Sequence, residues 1–193
     1  MLDRLHAFFD GTTRLGAILS GYALLGLALA ICAEIALRRL AGFSLQGVDE
    51  IGGYVLAGIS GFAFAFGLMQ KAHTRIDIVL RVVPAPVQAL LNVAAALIFA
   101  AIAVFMAWRA EATLARSLQF DALAATPLQT PMWIPQTIWL VGLTLFAVVA
   151  LFLALRAILA LGQGVAKVNA LAGPPTLDEE IASETLRDGE ARP

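Results

Sequence analysis

The sequence predicts an all-α integral membrane protein with four transmembrane helices and an interfacial amphipathic helix between the second and third. Three observations lead there. Of 193 residues, 60% are apolar and 14% are charged, against roughly 45–50% and about 25% in an average soluble domain. Mean hydropathy is +0.84. The charges that do occur fall between four apolar stretches, each close to the ~20 residues that a helix needs to cross a hydrocarbon core of about 30 Å. Too little polar surface remains for a soluble monomer, and only the C-terminal tail is polar enough for disorder.

Each span has its own boundaries. Leu15–Ala33 is uncharged and ends against Glu34, Arg38 and Arg39. Arg4, Arg14 and the Ala28-Leu29-Ala30 triplet give this segment some likeness to a cleaved signal peptide. A signal h-region runs only about 7–15 residues, so the segment reads as a retained helix. Ile51–Met69 is uncharged between Asp49-Glu50 and Lys71. Val87–Trp108 follows Pro84 and Pro86 and stops at Arg109, and Trp133–Leu155 stops at Arg156. The expected spans are thus 15–37, 51–70, 87–108 and 133–155, within a membrane domain of residues 1–161.

Orientation follows from Lys and Arg near the span ends. With the N-terminus inside, Arg4, Arg14, Lys71, Arg75, Arg81, Arg156 and Lys167 lie on the cytoplasmic side, and Arg38, Arg39, Arg109 and Arg116 lie outside. The excess places both termini in the cytoplasm. Gly162-Gln163-Gly164 breaks the last helix, and residues 162–193 carry six acids against three basic residues. This segment reads as an acidic, mostly flexible cytoplasmic tail, with Thr176 and Glu179 offering a capping box for a short helix.

Several classes of function are excluded. A net charge of −1 leaves no footprint for nucleic acid. One cysteine, Cys32, supports neither a disulfide relay nor a zinc cluster, and two histidines, His6 and His73, cannot ligate two haems. The centre of every span lacks Asp, Glu, Lys, Arg and His, the residues by which membrane catalysis or ion coupling shows itself. Glu34 sits near the end of its span, where Arg38, four residues on, is its natural partner. Gln88 and Asn92 are neutral and suited to hydrogen bonds with a neighbouring helix. No nucleophile, metal or phosphate-loop motif occurs, so no catalytic, cofactor or metal residue is assigned and the chain reads as no enzyme.

The spans carry small residues at packing intervals instead: Ala17 and Gly21; Ala57, Gly61 and Ala65; Ala96, Ala100, Ala103 and Ala107. Such faces let helices approach closely in lipid. They either hold the four helices together or, being more than a minimal bundle needs, dock a larger partner.

After the second span, Ile76, Val79, Leu80 and Val83 recur at i, i+3, i+4 and i+7, the pattern of a helix lying at the interface. His73, Arg75 and Asp77 stand at its start, and Glu50 precedes the second span. The order of Glu50, Gly67, His73-Xaa-Arg75-Xaa-Asp77 and Pro84, with Thr126–Pro135 leading into the fourth span, resembles the small membrane subunit of tripartite ATP-independent periplasmic (TRAP) transporters, the DctQ family. The likeness runs from about Glu50 to Arg156; Val48-Asp49 stands where the family commonly has an aromatic residue before the acid. The resemblance implies an accessory subunit of a sodium-coupled organic-acid importer in a bacterial inner membrane. Its implied partners are a large multi-helix membrane subunit, which holds substrate and coupling sodium ions, and a periplasmic solute-binding protein. Glu50, His73, Arg75 and Asp77 are then candidate partner contacts. A dimeric four-helix exporter is the alternative, and the missing mid-span carboxylate argues against it.

Overall fold

A computed structural model describes residues 2–72, 80 and 82–173. Among them are five helices: α1 (Leu2–Ala41), α2 (Val48–Met69), α3 (Ala85–Gln119), α4 (Trp133–Leu161) and α5 (Val165–Ala172). The first four are long and apolar enough to cross a membrane, and each covers one expected span, α2 stopping one residue short of the expected end at 70. The amphipathic helix expected around Ile76–Val83 falls mostly outside the described residues.

Charge ends the span but not the helix. α1 has 40 residues and α3 has 35, so they run about 60 and 52 Å, well beyond the ~30 Å hydrocarbon core. The overrun of α3 carries Arg109, Glu111 and Arg116 among alanines and leucines, a composition that favours helix in water as well. At its other end, Pro84 and Pro86 flank the first turn, where a missing N–H costs no intrahelical bond.

α4 is the hub. It packs against α2 on one side and α3 on the other, while α1 joins mainly through α2. At the α2–α4 crossing, Gly61 and Gly142 bring the two backbones into contact. A Cβ on Gly61 would lie 2.7 Å from the Gly142 carbonyl carbon. One turn away, a Cβ on Gly58 would meet Ile138 at 3.1 Å. Ala65, Ala100, Ala103, Phe146, Ala147, Ala150 and Ala154 form the central core, with Phe99 set edge-on to Phe146 at 5.5 Å. The small-residue faces of α2 and α3 are therefore spent inside the subunit. The Ala17/Gly21 face of α1 is not: a Cβ on Gly21 would meet nothing within 4 Å.

Gly162 and Gln163 turn the chain, and residues 165–172, at the start of the segment expected to be mostly flexible, form α5. Val168 is fully buried with Ala89, Val93, Ala157 and Ala160. The physical reason is local composition. The acids of the tail begin only at Asp178, and Val165–Ala172 holds a single charge, Lys167.

Candidate functional site

Of the four candidate contact residues, Glu50 is described; His73, Arg75 and Asp77 lie outside the described residues. Glu50 occupies the first turn of α2, where a carboxylate is favoured by the positive helix end. The residue capping that end is Gly47 at φ 96°. Glycine is required there twice over, since a Cβ would also lie 2.3 Å from the Leu128 side chain. Leu128 thus rests directly on the start of α2.

Tyr54, one turn beyond Glu50, donates its hydroxyl to Glu50 Oε1 at 2.6 Å. The remainder of the carboxylate lies against the α3–α4 connection, where the Thr126 and Thr130 side chains and the Leu128 amide act on its charge. Oε2 itself is buried without a hydrogen bond of full geometry. The connection is internally braced: Ala124 N–H donates to Thr130 O and Met132 N–H to Ala122 O, both at 3.0 Å. Asp121 and Gln129 take positive φ at its two bends. Residues 120–132 therefore form a compact hairpin-like loop seated on Glu50.

A second carboxylate fixes the neighbouring loop. Glu34 is buried near the end of α1. Arg38 donates to its Oε1 from Nε at 3.1 Å and Nη2 at 2.6 Å, as the i, i+4 spacing suggested. Ser44 Oγ adds a bond to the same oxygen at 2.7 Å, and the Leu45 N–H donates to Oε2. Glu34 thus holds the 42–47 loop as Glu50 holds the 120–132 loop. Sequence reading missed Tyr54, Ser44 and the two threonines. Tyr54 at i+4 from Glu50 was the available signal; the threonine contacts span more than 70 positions.

The other end of the bundle is tied by amides. Asn92 donates to Asn169 Oδ1 at 3.1 Å, and Asn169 donates to Ala85 O at 3.3 Å. Gln88 donates to Leu80 O and Val83 O at 2.8 and 3.0 Å. Gln88 and Asn92 thus serve helix packing. Among the described residues, no group of three or more His, Cys, Asp or Glu is placed to hold a metal ion. The arrangement supplies two loops clamped by carboxylates at one end of the bundle.

A family model described as tripartite ATP-independent periplasmic transporters, DctQ component, matches residues 27–160. The chain belongs to the DctQ family. The match begins midway along α1 and ends at the close of α4, so it includes both clamped loops and leaves out α5 and the first half of α1. As a DctQ component, the chain is part of a TRAP transporter and a multi-pass membrane protein. Neither a curated protein nor a solved structure matches it.

Proposed function

We propose that this DctQ component is the small accessory and scaffold subunit of a binding-protein-dependent, sodium-coupled importer of organic acids in a bacterial inner membrane. The coupling ions and the solute belong to the large membrane subunit. The observation that carries this reading is the emptiness of the span centres, joined to the family match. A chain without mid-membrane charge lacks the ionisable groups that mark ion pathways and proton relays in the core, yet it belongs to a transporter.

The exposed face of α1 is the surface assigned to the large subunit. Only 11% of its most apolar stretch is buried within this chain, and Gly21 on that face is open. The excess of Lys and Arg supports cytoplasmic termini, with the Glu34 and Glu50 loops on the periplasmic side, available to a binding protein. Reporter fusions near Gly42 and Ala124 then read periplasm, and a cytoplasmic signal at either position rejects the orientation. Arg75 is proposed to contact the large subunit from the cytoplasmic side. A cation and a carboxylate two residues apart, as Arg75 and Asp77 are, do not pair along a helix. Arg75→Ala then reduces co-purification of the large subunit, and full recovery rejects that contact.

The direct test is reconstitution. The purified chain in liposomes gives no sodium- or proton-driven solute uptake, and adding the large subunit and binding protein restores it. Robust uptake by the chain alone overturns the scaffold reading and favours the exporter.

A further inference from the structure

The end of the bundle opposite Glu50 encloses a cavity of about 580 Å³ between α2, α3, α4 and α5, with His6 of α1 at its edge. That is within the ~300–1,000 Å³ range of sites that take small ligands. Its walls are apolar, with Leu91, Phe99 and Leu153 among them. Its described polar residues are few. Lys71 and Arg156 are cations, His6 and Asn92 supply nitrogen donors, and no described lining residue is acidic.

The two cations are held in place. Lys71 Nζ donates to the Ala170 carbonyl at 2.9 Å, which ties it to α5. The Arg156 guanidinium lies over the Phe152 ring, 5.8 Å from its centroid. Asp3 approaches Arg156 at 3.5 Å, but its side chain is 95% exposed, so it remains largely hydrated and screens the charge weakly. Lys71 and Arg156 also mark where the uncharged stretches of α2 and α4 end. They stand at headgroup depth, with apolar walls running from there toward the membrane centre.

We propose that this cavity is a binding site for an anionic phospholipid, its phosphate between Lys71 and Arg156 and an acyl chain along Leu91, Phe99 and Leu153. Basic pockets between membrane helices recognise such headgroups, and a guanidinium suits phosphate geometry. An apolar wall alone accepts any lipid tail; the two cations at the rim select the headgroup. His6, Leu171 and Ala172 line the cavity from outside the 27–160 family match. The cations and the acyl wall lie within the match, and α5 and the start of α1 close the site from outside it. It requires a bilayer and no particular transport function.

The test uses the full chain purified in a neutral detergent. Its unfolding midpoint is followed while phosphatidylglycerol, phosphatidylcholine of the same acyl chains, or soluble glycerol phosphate is added. Phosphatidylglycerol is expected to raise the midpoint saturably, by about 5–10 °C at a hundredfold excess over Kd, and the other two to leave it unchanged. The rise should be lost in the Arg156→Gln, Lys71→Gln double variant. Mass spectrometry of the wild-type protein from membranes supplies a readout independent of whether the variant folds, with anionic lipid retained near one per chain. An equal rise with phosphatidylcholine, a rise with glycerol phosphate alone, an undiminished rise in a folded double variant, or no retained anionic lipid each overturns the proposal.

Discussion

α1 and α4 are both apolar enough to cross a membrane, yet they are used differently. In the most apolar stretch of α4, 44% is buried within the subunit; in α1 the figure is 11%. Apolarity in a membrane protein satisfies the lipid, so it does not tell which face meets protein. The discriminating feature is how close another backbone comes. α4 carries Gly142 at a point of backbone contact with Gly61, while Gly21 and Gly26 of α1 face nothing within 4 Å. α4 is thus committed to holding this chain together, and α1 is left with a face to give away.

The largest expected effect follows on the committed side. Gly61→Ala forces a methyl to within 2.7 Å of the α4 backbone, which cannot rotate aside as a side chain can. Overpacking of this kind costs about 1–3 kcal/mol, to be read as a lowered denaturation midpoint of the isolated chain in detergent. An unchanged midpoint would show that α2 and α4 can separate freely and that α4 is no more committed than α1.

A smaller and more local effect is expected at the clamped end. Glu50→Ala leaves the Tyr54 hydroxyl without its acceptor and removes the seat of the 120–132 loop. Limited proteolysis should cut that loop severalfold faster while the helices stay intact, because cleavage follows local opening. Uniform destabilisation of the helices instead would make Glu50 part of the core rather than a loop clamp.

Much of the fold was legible because hydrophobic length is a direct consequence of membrane thickness. The four spans and the Glu34–Arg38 pair needed only counting. The arrangement of the helices was not legible, because α4 is apolar all round and shows no face by its pattern. Ala17/Gly21 and Ala57/Gly61 look alike as text, and only the fold separates the open face from the filled one. α5 was missed although Val165, Val168 and Leu171 recur at helical spacing after Gly164; the acidic residues beyond Asp178 dominated the composition of the segment. The role of Glu50 as a clamp was hidden because its loop partners, Thr126 to Thr130, arrive from the far side of α3.

The central claim is that α1 has an unfilled face kept for the large subunit, and Gly21→Leu tests it most directly. Within the isolated chain a Cβ at position 21 meets nothing within 4 Å, and replacing an exposed helical glycine removes a penalty of roughly 0.5–1 kcal/mol. The unfolding midpoint of the chain alone should stay level or rise slightly. Co-purification of the large subunit from membranes expressing both should fall, because the bulk occupies the approach of the partner. A variant that binds the large subunit as well as wild type, with the chain itself unharmed, would contradict the account and leave the α1 face to lipid.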